Sequence, residues 1–93
     1  MHPDEIKLLR QELKLPLSEF GKLFGVAPNT ALRWENGQSQ PHDMAVVAMH
    51  QLREKLDRYR ASGQTEEALM KIGKIILFGG LAAYLIWLFS RDD

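Results

Sequence analysis

Apolar residues recur at three- and four-residue intervals along most of this chain, and the pattern changes character only toward its C-terminal end. Ile6, Leu9 and Leu13 share one face of a helix predicted over 4–14. Asp4 and Glu5 fall in its first turn, where the helix dipole favours acids. Leu15-Pro16-Leu17 ends it, because the residue before a proline is pushed out of the helical region. A short second helix is predicted over 19–24, capped by Ser18 or opened earlier by Pro16, and Gly25 stops it. Val26-Ala27 makes a turn, Pro28 opens a third helix to residue 36, and Gly37 ends that one. After the polar loop Gly37-Gln38-Ser39-Gln40-Pro41, a long amphipathic helix is expected over 43–61. Its seam of Ala45, Met49, Leu52, Leu56 and Tyr59 either closes the domain's own core or packs a partner helix. Ser62-Gly63-Gln64 is a break, and Thr65 offers a capping hydroxyl to a last helix over 66–90. The fold expected is all-α: a bundle over 1–61, a linker at 62–65 and a hydrophobic C-terminal helix.

That last helix departs from the amphipathic rule. The 18 residues of 72–89 are interrupted only by Lys74. As a helix they cover about 27 Å, close to the hydrocarbon thickness of a bilayer. Lys74 is placed to snorkel, Tyr84 and Trp87 lie toward the far end, and Arg91-Asp92-Asp93 stops the run. Arg58, Arg60, Lys71 and Lys74 on the near side outnumber Arg91, which puts the N-terminal domain in the cytoplasm, anchored by its tail in the inner membrane. Gly79, Gly80 and Ala83 form a small-residue face on which two such helices can approach, so a homo-oligomer is expected. The other reading of 72–89 is a soluble helix buried inside an assembly.

Composition narrows the function classes. With 93 residues, 45% hydrophobic and 26% charged, the chain makes one small globular domain plus an appended element and is too apolar for disorder. Without cysteine there is no disulfide and no thiolate metal site. His2, His42 and His50 are scattered without ligand spacing, Gly79-Gly80 sits in an apolar helix rather than a phosphate loop, and no cofactor is expected. The first residues lack the basic stretch and apolar core of a signal peptide. Within 1–41, Lys7, Arg10, Lys14, Lys22 and Arg33 are matched by Asp4, Glu5, Glu12, Glu19 and Glu35. A neutral module of this kind must segregate its charges if it is to hold phosphates.

The string from Leu17 to Gly37 carries the strongest signal. Gly21 is small where two helices must cross closely, Gly25 and Val26 make a tight turn, and Phe20, Leu23, Val26, Ala31, Leu32 and Trp34 supply apolar positions for a core. With Phe20-Gly21, Gly25-Val26, Trp34-Glu35-Asn36-Gly37 and Pro41 in register, residues 4 to about 52 resemble the Xre/Cro family of phage-repressor-like helix-turn-helix domains. The resemblance implies that the third helix enters the major groove of double-stranded DNA. Asn29, Thr30 and Arg33 would then read base edges, while Asn36 and the amides of Gly37, Gln38 and Ser39 meet phosphates. The chain departs from the family's habit at Leu17, Ala27 and Gln38-Ser39-Gln40, where glutamine, a capping serine and basic residues are common. The function expected is a sequence-specific transcriptional regulator, not an enzyme, tethered to the membrane or oligomerised by its last helix. The alternative is a protein-interaction module on the cytoplasmic membrane face that grips a protein partner, as the repressor-like domain of the cell-shape protein RodZ does.

Overall fold

The computed structural model describes residues 1–90, and every regular element among them is helical. Pro3 opens α1 (Pro3–Glu12), where the His2 amide donates to Glu5 Oε1 at 2.8 Å and so secures the helix start. This helix ends earlier than its apolar spacing suggests, since Lys14 turns into the left-handed region at φ 58°. Helix α2 (Leu17–Lys22) is entered through Pro16 in an extended conformation, so Ser18 lies inside the helix and is not its cap. Helices α3 (Pro28–Glu35) and α4 (Asp43–Ala61) stand close to where the sequence puts them. The cap of α4 is His42, whose Nδ1 accepts the Ala45 amide at 3.1 Å while Nε2 lies 3.4 Å from the Phe24 carbonyl. Thr65 likewise falls within α5 (Thr65–Lys74) and does not cap it.

The core forms where the apolar faces converge. Ile6 and Leu9 of α1, Phe20 of α2, Ala31 and Trp34 of α3, and the seam Ala45, Met49, Leu52, Leu56 and Tyr59 are all buried. The seam therefore closes the molecule's own interior, covered by helices of the same chain. Phe24 meets Phe20 and Trp34 edge to face, at centroid distances of 5.0 and 6.2 Å.

The C-terminal run Thr65–Phe89 is 25 residues with a mean hydropathy of 2.0 in its most apolar window, long and apolar enough to cross a membrane by length and composition. It is not straight. The turns widen to a five-residue π-helical stretch, Ile75–Gly79, and Gly80 then takes φ 67° and ψ −170° before α6 (Gly80–Phe89) begins. Two contacts fix the consequence. Lys71, before the bend, bonds the Tyr59 hydroxyl at 3.1 Å, and Trp87, after it, packs its ring 6.4 Å from the same tyrosine. In a straight helix these two residues would stand about 24 Å apart. The run is thus a helical hairpin: α5 runs back along α4, and α6 returns parallel to α4. The apolar C-terminal helix expected from the sequence is present, and the backbone of Gly80 bends it. Arg91-Asp92-Asp93, the expected stop, lies outside the described residues.

One polar group pins the hairpin down. Lys55 is wholly buried, and its ammonium donates to the carbonyls of Trp87 at 2.8 Å and Ser90 at 3.1 Å. A cation thereby joins the Ser90 amide and hydroxyl on the Trp87 carbonyl at the end of α6, where the helix dipole is negative. The same ammonium lies 4.8 Å from the Trp87 ring centroid.

Candidate nucleic-acid interface

The crossing of α2 and α3 rests on Gly21. A Cβ added there would stand 2.6 Å from the Val26 carbonyl oxygen, so no larger residue fits without moving backbone. The close approach lets the Val26 amide bond the Gly21 carbonyl at 3.0 Å and fixes the angle at which α3 leaves the turn. Pro28 then starts α3 without needing an amide partner.

Helical periodicity sorts the side chains of α3 into two faces. Ala31 and Trp34 point inward and are buried, and Asn29, Leu32 and Arg33 point outward, with Asn36 beyond the helix end continuing their stripe. Thr30 is half-buried at the edge of that stripe, its amide held by the Ala27 carbonyl at 3.0 Å. Leu32, which the sequence offers as a core residue, is instead 39% exposed between Asn29 and Arg33. An apolar side chain in that position can meet a thymine methyl group.

The acid of α3 is turned away. Glu35 is buried, and Arg10 of α1 grips it with a fork, Nε to Oε2 at 2.6 Å and Nη2 to Oε1 at 3.1 Å. The third arm of Arg10 donates to the Leu15 carbonyl at 3.1 Å. Glu35 raises the pKa of the Arg10 guanidinium above its ordinary value, against the opposing effect of burial. Glu12 is likewise engaged, by Arg53 and Arg60 of α4. Two acids of the neutral segment are thus held by arginines, Glu35 by the segment's own Arg10 and Glu12 by Arg53 and Arg60, while Arg33 makes no ion pair among the described residues.

Beyond α3, Asn36, Gly37, Gln38 and Ser39 are all exposed. Their amides differ from the expectation. Gln38 and Ser39 both direct their N–H to the Arg33 carbonyl, at 2.9 and 3.4 Å, and Gly37 directs its own to Trp34 at 3.3 Å. These donors close the end of α3, so an anion at this loop meets the side chains of Asn36, Gln38 and Ser39 instead.

Gly79 and Gly80 are exposed at the bend, with Ala83 half-buried beside them. A Cβ on Gly79 would lie 2.5 Å from that of Ala83, so the bend leaves no room for a side chain at position 79. The partners of Arg10, Glu12 and Lys55 went unread in the sequence, since each lies far along the chain from the group it holds.

A family model described as helix-turn-helix matches residues 6–56, from α1 to within α4. It leaves the hairpin outside. Nothing among the curated proteins or the solved structures matches the chain.

Proposed function

From a chain that belongs to the helix-turn-helix family through residues 6–56, we propose a sequence-specific DNA-binding regulator held at a membrane by its C-terminal hairpin. The observation that carries the DNA reading is the bare stripe of Asn29, Leu32, Arg33 and Asn36, cleared of negative charge by the inward turn of Glu35. With α3 in the major groove, Arg33 pairs with guanine, Asn29 with adenine, and Thr30 supports from the edge. Asn36, Gln38 and Ser39 then set the register on phosphate oxygens. Membrane attachment is supported by the apolarity of Thr65–Phe89, and the flanking Arg58, Arg60, Lys71 and Lys74 favour the cytoplasmic side for the domain.

The decisive measurement is binding of wild type and Arg33→Ala to a selected site and to unrelated duplexes across salt concentrations. Loss of Arg33 costs about 1–3 kcal/mol at the selected site and relaxes preference at one base pair. Equal, weak binding of both proteins to every duplex at low salt would overturn the reading.

A further inference from the structure

The bend in the C-terminal run decides how it meets a bilayer. Each arm of the hairpin, α5 and α6, has 10 residues. An arm of that length reaches about 15 Å, half of a hydrocarbon core of about 30 Å. Folded as it is, the segment cannot cross.

Its outer surface is nevertheless made for lipid. Phe78 is 85% exposed, Leu77 75% and Ile86 72%, and Leu81 and Phe89 are bare as well. No charge interrupts 75–89. So many large apolar side chains left exposed along one segment are rare on a water-facing molecule. Two lysines stand beside its tip: Lys74 is exposed immediately before the π-helical stretch, and Lys22 lines one cavity together with Ile75, Ile76, Gly80 and Leu81. The charge of Lys74, with that of Lys22 shared with Glu19 at 3.5 Å, complements anionic headgroups at the depth where the apolar tip enters. The bend also keeps its backbone partly satisfied, as the Gly80 amide donates to the Ile75 carbonyl.

We propose that the hairpin of residues 65–89 is re-entrant, dipping its apolar tip into one leaflet of an anionic bilayer and leaving both of its ends on the same face. This rests on the membrane attachment proposed above and replaces a spanning tail with a shallow wedge. Straightening the run into a span would strip Lys55 of the Trp87 and Ser90 carbonyls and part Tyr84 from Phe24, whose rings now meet at 6.3 Å.

The chain has no cysteine, so single thiols report position cleanly. Ser62→Cys, between α4 and α5, and Ser90→Cys, after α6, are made in the full chain expressed in a bacterial host. Spheroplasts and inverted membrane vesicles are then treated with a membrane-impermeant maleimide. The hairpin requires both thiols to react in inverted vesicles and both to be protected in spheroplasts. Phe78→Asp, at a side chain that supports no interior packing, should lower the membrane-bound to soluble ratio roughly ten- to hundredfold and leave the melting temperature unchanged. Reaction of Ser90→Cys in spheroplasts would show a span, overturning the hairpin while attachment stands. Recovery of the protein in the soluble fraction, as an oligomer that Phe78→Asp dissolves, would make this face a contact between copies and overturn both.

Discussion

Glu12 stands where α1 meets the C-terminal half of α4, and Arg53 and Arg60 both close on its carboxylate. The hydrogen bonds from Arg53, with those from Arg60 and the attraction of both, outweigh desolvation and hold its pKa down to about 2 from an ordinary 4.5. A depressed carboxylate contributes stability that is complete above its unfolded pKa and is lost as pH falls through the folded one. Glu12 is partly wet, so screening reduces the contribution to about 1–2 kcal/mol. Acid titration of thermal stability should therefore show wild type losing this increment between pH 4.5 and 2. Glu12→Gln should begin lower at neutral pH and converge with wild type in acid. Parallel curves across that range would deny the carboxylate this role. The Arg10–Glu35 pair teaches a related lesson about reading side chains from a sequence. Arg33 and Glu35 are near neighbours along the chain, yet helical rotation sends one to solvent and the other into the arms of Arg10.

Among the elements, those with a strong period and punctuation were legible: α3 between Pro28 and Gly37, and α4 from Asp43 to Ala61. The starts of α2 and α3 were legible through Pro16 and Pro28, but His42 and Gln64 as the caps of α4 and α5 were not, because better capping residues lie nearby. The stripe of α3 was mostly legible too, apart from Leu32, since an apolar residue on a short helix gives no sign of which face it takes. The bend in the apolar run was hidden for a different reason. A segment apolar on every side has no periodicity to break, so Gly79-Gly80 reads equally as a small-residue face or a corner. Gly80 occupies a backbone region open essentially to glycine alone, where another residue costs about 1–3 kcal/mol. Gly80→Ala should destabilise the full chain by that amount in denaturant titration. Gly73→Ala, inside α5 with open space around its Cβ, should be neutral or stabilise by up to about 1 kcal/mol. A straight helix would gain from both substitutions, so like behaviour of the pair would contradict the bend.

At the scale of the whole molecule, the hairpin is part of the interior. Ala68, Ile72, Tyr84 and Leu88 are buried with the helix-turn-helix core, Tyr84 meets Phe24, and Trp87 lies against Lys55 and Tyr59. A chain ending at Gln64 should thus leave the membrane fraction but also melt lower. Even about 2 kcal/mol, a modest figure for four buried side chains, corresponds to roughly 8–16 °C in a domain of this size. Equal melting of the short and full chains would mean that the hairpin only rests on the surface. Lys55 adds a dimension of time. Its carbonyl partners lie 32 and 35 residues further along the chain. At about 5–20 residues per second, a ribosome needs roughly two to seven seconds to supply them, whereas small helical domains fold within milliseconds. The helix-turn-helix bundle therefore sets around an ammonium still dissolved in water, and the newborn protein carries its reading head before it has its tail. The seat of the last helices against α4 is thus the part of the fold that closes last.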